Sequence, residues 1–157
     1  MKNENNAITL LKNSSIYHLN KNKMILEHVA IWTSKLEDLK NYYTIFFDGI
    51  SNEKYINPQN NFESYFLSFS SGARLELMKM PNIPINKNDT IGKQHQGIIH
   101  LAFGAKSKEK VDEKANQLKV AGIKILSGPR TTGDNYYEFE TLDPDNNRIE
   151  VTYKLTS

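Results

Sequence analysis

The chain contains no cysteine, and that absence removes disulfides, thiolate metal ligands and cysteine nucleophiles together. Any metal it binds must be held by nitrogen and oxygen. No apolar run approaches the roughly 20 residues that a membrane-spanning helix needs. The first residues carry only a four-residue apolar patch, at 8–11, and no small-residue cleavage site follows it, so no signal peptide is expected and the expected location is cytoplasmic. Arginine is scarce, at 74, 130 and 148 only, and the net charge is +2. Residues 1–23 hold four lysines and one glutamate, or +3, which leaves −1 for the rest. A body so lightly charged has no surface for reading phosphates, so neither nucleic acid nor membrane is an expected partner.

What is present is a repeat. Residues 26–32 read Leu-Glu-His-Val-Ala-Ile-Trp and residues 98–104 read Ile-Ile-His-Leu-Ala-Phe-Gly. Residues 74–77 read Arg-Leu-Glu-Leu and residues 148–151 read Arg-Ile-Glu-Val. His28 precedes Glu76 by 48 residues and His100 precedes Glu150 by 50. The material between them repeats as well. Ser34-Lys-Leu-Glu37 has the form of a capping box, followed by an apolar helical stripe at Leu36, Leu39, Tyr43 and Phe46 and a stop at Gly49. In the second half Ser107 suits an N-cap, Val111, Ala115 and Leu118 form the stripe, and Gly122 ends it. Strands are expected at 62–69, 73–79, 136–141 and 148–153, with shorter ones near 123–126 and within 50–56. Each half therefore reads βαβββ. The expected organisation is a polar extension at 1–23 and a single domain at 24–157, made of module one (24–80), a linker (81–96) and module two (97–157).

Strand parity says which side chains converge. His28 shares a face with Ala30 and Trp32, and His100 with Ala102. Glu76 lies with Arg74 and Met78, and Glu150 with Arg148 and Thr152. The opposite face of all four strands is aliphatic and suits packing under a helix. A glutamate in mid-strand among aliphatics is an unfavourable choice unless it has a partner. Two such glutamates and two such histidines, in matched repeats, imply one shared partner, a divalent ion. His28, Glu76, His100 and Glu150 are the expected ligands. Two imidazoles and two carboxylates suit Ni²⁺, Zn²⁺, Mn²⁺, Co²⁺ or Fe²⁺, Ni²⁺ or Zn²⁺ foremost, and leave room for substrate oxygens. His18 and His95 have no repeat counterpart and read as ordinary surface residues. Arg74 and Arg148 read as partners in surface ion pairs.

At these motifs the chain, over residues 26–153, resembles the vicinal oxygen chelate superfamily, which includes glyoxalase I, methylmalonyl-CoA epimerase, fosfomycin-resistance thiol transferases, extradiol dioxygenases and bleomycin-binding proteins. The run Asp143-Pro-Asp-Asn-Asn147 is similar to the family's Asp-Pro-Asp-Gly turn before the last ligand. The resemblance implies an α+β fold in which two βαβββ modules form a cupped mixed sheet around the metal, with helices outside. It implies a small-molecule substrate and a homodimer. The ligand order His, Glu, His, Glu is most like bacterial glyoxalase I, which implies a metal-dependent lyase or isomerase that moves a proton next to a carbonyl. By the same resemblance Glu150 is the catalytic base and Glu76 the second carboxylate. Other activities of the superfamily remain open: a drug-binding protein, a ring-opening dioxygenase or a thiol transferase. Glutathione-using members carry Arg four residues after the first ligand and Asn four after the second, where this chain has Trp32 and Met80. Those two, with Met78, suit a less polar substrate.

Overall fold

In the computed structural model, which describes residues 24–156, the first half contains β1 (His28–Trp32), α1 (Leu36–Phe47), β2 (Ile50–Ser51), β3 (Tyr55–Asn57), β4 (Phe62–Ser68) and β5 (Arg74–Lys79). The second contains β6 (His100–Gly104), α2 (Lys108–Val120), β7 (Ile125–Thr131), β8 (Tyr136–Leu142) and β9 (Arg148–Lys154). The first sheet has the order β1-β5-β4-β2, with β3 also on β4, and the second has the order β6-β9-β8-β7. Both are mixed: β1 runs parallel to β5 and β6 parallel to β9, while every other pair is antiparallel. This is the α+β architecture of paired βαβββ units that the repeat implies, without a closed barrel. The equivalence extends to register. His28 lies opposite Arg74 and Ala30 opposite Glu76, just as His100 lies opposite Arg148 and Ala102 opposite Glu150.

The aliphatic faces pack as parity requires. Leu75 and Leu77 of β5 lie under α1, with Leu36, Leu39 and Tyr43 buried above them, and Ile149 and Val151 of β9 meet Val111, Ala115 and Leu118 of α2. Each leucine, isoleucine or valine among them, fully buried, contributes roughly 1.5–3 kcal/mol. The two halves share one core. The Phe103 ring of β6 sits 4.4 Å from Phe47 and 6.1 Å from Tyr43, centroid to centroid. Tyr42 donates its hydroxyl to the Leu142 carbonyl at 3.2 Å, and Tyr43 donates to the Asp143 carboxylate at 2.9 Å. The first helix is thereby tied to the turn that leads into β9.

Local chemistry departs from expectation at three places. Ser34 and Glu37 do not form a capping box: Lys35 occupies the N-cap, and Glu37 is drawn away to Lys54 (2.6 Å), Lys40 (3.2 Å) and the Tyr65 hydroxyl (3.0 Å). An ionised carboxylate gains more from two ammonium groups than from one backbone N–H. At the end of α1 the left-handed residue is Asp48, not Gly49. Gly49 is favoured by crowding instead, since a β-carbon there would lie 3.0 Å from Leu67 and 3.1 Å from the Tyr43 carbonyl. The strand expected within 50–56 is split into β2 and β3. Between them the Asn52 side chain accepts the Phe66 backbone N–H at 2.8 Å, taking a place in the ladder that a backbone carbonyl would otherwise fill. In the second half Ser107 caps α2 through Lys110 N–H, and Gly122 turns the chain with φ +78°.

Candidate metal centre

The four expected ligands stand as two pairs, one on each sheet. His28 Nε2 lies 3.7 Å from Glu76 Oε2, and His100 Nε2 lies 3.8 Å from Glu150 Oε2. The near-identity follows from the shared register, because each histidine sits on an edge strand and reaches across to a glutamate two residues further along the neighbouring strand. Both glutamates are sheltered, each with 15% of its side chain exposed, whereas the histidines are open at 39% and 35%. Among the described residues no group of three or more histidine or acidic side chains converges on one point. The two pairs are therefore separate within one chain.

The donor types of each pair suit a divalent ion, and neither pair alone supplies a full set. A separation of 3.7–3.8 Å is too long for a hydrogen bond between the partners. It is a few tenths of an ångström wider than the roughly 3.0–3.4 Å expected between two donors bonded about 2.1 Å from one ion at octahedral or tetrahedral angles. Each pair has the chemistry of half a nitrogen and oxygen ligand set.

The surroundings of the two pairs differ. Beside the first, Glu27 accepts a hydrogen bond from His28 Nδ1 at 2.5 Å and is held in turn by Arg74 Nε at 2.7 Å. The hydrogen bond from His28, followed by the Arg74 guanidinium, holds the Glu27 carboxyl below its ordinary range. The Phe66 ring supports both partners, edge-on to His28 at 5.4 Å and 4.2 Å from the Arg74 guanidinium carbon. Further along the same face Trp32, 40% exposed, stands edge-on to Phe62 at 6.0 Å, and Met78 lies opposite Trp32. Beyond Trp32 a groove of about 840 Å³ opens between the linker and the Asp145–Asn147 turn, with Met80, Pro81, Ile83 and Ile91 in its walls.

The second face is acidic. Glu140 lies opposite Glu150 and Glu138 opposite Thr152, so three carboxylates share one side of the sheet. Burial and then the charge of Glu150 push the Glu138 carboxyl up, with Arg130 at 3.2 Å opposing the shift. The Thr152 hydroxyl is buried and has no hydrogen-bond partner. Arg148 corrects the surface reading. It is only 8% exposed, and it donates to the Thr90 and Ile91 carbonyls of the linker at 2.8 and 3.1 Å and to Glu140 at 3.4 Å. Arg74 does form a surface ion pair. His95 lies in the linker and meets the Gln96 carbonyl at 3.2 Å, apart from either pair, and His18 falls outside the described residues.

Sequence reasoning missed Glu27, Glu138 and Glu140. The last two carried a signal, since in the run 137–140 aromatic and glutamate residues alternate in the period of a strand. Glu27 carried none, because it precedes β1 and its meeting with Arg74 depends on the parallel register of β1 on β5.

Comparison with known proteins accords with this arrangement. A family model described as the Glyoxalase/Bleomycin resistance protein/Dioxygenase superfamily matches residues 25–151. No curated protein sequence matches significantly. Among solved structures, a glyoxylase/bleomycin resistance protein/dioxygenase domain from Frankia sp. EAN1pec is 16% identical with a TM-score of 0.69, over 85% of this chain and 99% of that one. The trypanothione-dependent glyoxalase I of Leishmania major is 20% identical with a TM-score of 0.65, over 84% and 88%. The fosfomycin resistance protein FosX of Listeria monocytogenes, solved with Mn(II) and sulfate, is 16% identical with a TM-score of 0.61, over 83% and 92%. At these identities the solved structures bear on the fold alone, and it is the family match over most of the chain, joined to the twice-repeated βαβββ unit, that places this protein in the glyoxalase/bleomycin resistance protein/dioxygenase superfamily, the vicinal oxygen chelate group.

Proposed function

We propose that the protein is a metal-dependent lyase or isomerase of glyoxalase I type, acting on a small substrate whose neighbouring oxygens chelate the ion. The observation that carries this reading is the pair of His–Glu couples, 3.7 and 3.8 Å apart at equivalent positions of the two sheets. Neither couple is a full ligand set, and β1 and β6 are both edge strands with their histidines open. The reading therefore includes a second copy of the chain: His28 and Glu76 of one copy and His100 and Glu150 of the other hold one ion, and a homodimer holds two.

When bound, a divalent ion in this set, Ni²⁺ or Zn²⁺ foremost, supplies Lewis-acid polarisation of the substrate carbonyl. The chain's own groups do the rest. Glu150, sheltered on β9, takes the proton from the carbon beside the carbonyl and delivers it to the next carbon, and Glu76 faces it as the second carboxylate. Trp32 and Met80 stand where glutathione-using relatives have charged and amide groups, and with Met78 they offer an apolar wall, so the substrate is less polar than a glutathione adduct.

The test is bound metal per chain in protein from metal-supplemented medium, for wild type, Glu76→Ala and Glu150→Ala. The reading expects about one divalent ion per chain in the wild type and strong loss in both variants. Metal-supported turnover of 2-oxoaldehyde adducts with thiols less polar than glutathione is the accompanying expectation. Binding indifferent to both glutamates would overturn it and favour a metal-independent ligand-binding protein.

A further inference from the structure

The two halves of the candidate centre are not prepared equally. An exposed Glu–Arg pair is ordinarily worth little, and Glu27 with Arg74 would pass as one such pair but for what lies between it and the proposed ligand. The Glu27 carboxylate has no proton to give when ionised, so in its 2.5 Å contact His28 Nδ1 is the donor. A neutral imidazole that carries its proton on Nδ1 has its lone pair on Nε2, and Nε2 is the atom that faces Glu76. Arg74 fixes Glu27 from the other side through Nε at 2.7 Å, and its backbone N–H also donates to the Glu27 carbonyl at 2.9 Å. Phe66 closes the set by supporting both the imidazole and the guanidinium. Three residues, from β4, β5 and the approach to β1, thus hold one ring in one orientation.

The second half lacks this device. The residue before His100 is Ile99, which has no acceptor in its side chain. Arg148, the counterpart of Arg74 in register, is engaged by the linker carbonyls and Glu140.

We propose that Glu27, braced by Arg74, is a positioning residue that selects the Nδ1–H tautomer of His28 and presents its Nε2 lone pair to the metal, making the His28–Glu76 half the pre-oriented half of the centre. The metal consequence rests on the function proposed above; the tautomer does not. A carboxylate behind a ligating histidine is typically worth about 10–100-fold in metal affinity.

The experiment is ¹⁵N NMR of the imidazole nitrogens in metal-free protein, at a pH well above the imidazole range, for wild type, Glu27→Leu and Glu27→Gln, with Zn²⁺ affinity measured on the same samples. The expected result is Nδ1–H for His28 in the wild type, a shift toward Nε2–H in Glu27→Leu, and recovery in Glu27→Gln, whose amide oxygen still accepts. His100 is expected to be unaffected, and Zn²⁺ affinity is expected to fall about 10–100-fold in Glu27→Leu alone. A wild-type His28 protonated on Nε2, or a Glu27→Leu variant with unchanged tautomer, overturns the proposal. So does a Glu27→Leu variant that changes tautomer yet binds Zn²⁺ as the wild type does. If the wild type binds no Zn²⁺, the metal role of Glu27 falls with the proposed function, and the tautomer shift alone then shows that Glu27 holds the ring.

Discussion

Replacing Asp143 tests how the second half of the centre is delivered to its place. This carboxylate is 3% exposed and accepts four hydrogen bonds: from the backbone N–H of Asp145 (2.9 Å) and Asn147 (2.8 Å), the Asn147 amide (2.8 Å) and the Tyr43 hydroxyl (2.9 Å). It shapes the turn that starts β9 and binds that turn to α1. Asp143→Ala strands the Tyr43 hydroxyl in the core and frees the two N–H groups of the turn. At about 1–3 kcal/mol for each buried group left unpaired, and with water able to reach some of the turn, the expected loss is about 3–5 kcal/mol. Tyr43→Phe removes one donor and is expected to cost about 1–2 kcal/mol, and the double variant is expected to cost less than the sum. Urea unfolding of the four proteins gives the values. The pH dependence has a definite sign. Burial, partly offset by the donors around it, pushes the Asp143 carboxyl above its ordinary range. A raised folded value means that this group's contribution is fully present below the ordinary carboxylate range and declines as pH rises through the raised value. The stability advantage of wild type over Asp143→Asn should therefore shrink as pH rises through that window and then level off. An Asp143→Ala protein within about 0.5 kcal/mol of wild type would refute the reasoning.

Two further outcomes follow from local chemistry. Asn146 has φ +63°, at the position where the family's turn has glycine, so Asn146→Gly should fall within about 0.5 kcal/mol of wild type. Asn146→Val should cost at least ~1–2 kcal/mol by thermal unfolding. Glu37 is lowered to about 2, first by its hydrogen bond to Lys54, so its contribution is present above the ordinary glutamate range and is lost as pH falls toward about 2. Because its side chain is half exposed, Glu37→Gln should cost at most ~1 kcal/mol at neutral pH, and the difference from wild type should vanish in acid.

Most of the candidate centre was legible because strand parity is strict. Once His28 and Glu76 were placed in strands with Val29 and Leu75 on the opposite face, their side had to be the one away from the helix, and the second copy of the pattern fixed the equivalent register of His100 and Glu150. Parity is silent on what lies beyond a sheet. It could not show that the two pairs stand apart in one chain, because that depends on how Phe103 meets Tyr43 and Phe47. It could not show that Arg148 is buried, because the linker carbonyls that take its donors come from a stretch without period. The capping box at Ser34 failed for a related reason: Glu37 had competing partners 17 and 28 residues away, at Lys54 and Tyr65, and no local rule counts those.

In the proposed dimer His28 and Glu76 of one copy share an ion with His100 and Glu150 of another. The most direct measurement is bound metal in a mixture of two variants, one His28→Ala/Glu76→Ala and the other His100→Ala/Glu150→Ala, unfolded together and refolded to allow hybrid dimers. Each variant alone has no complete site. A hybrid dimer has one, so random mixing is expected to restore about a quarter of the wild-type metal per chain. Restoration near that level, carried by the dimer fraction, is the predicted result. Metal retained by either variant alone, or none recovered from a mixture in which hybrid dimers are present, would contradict the account.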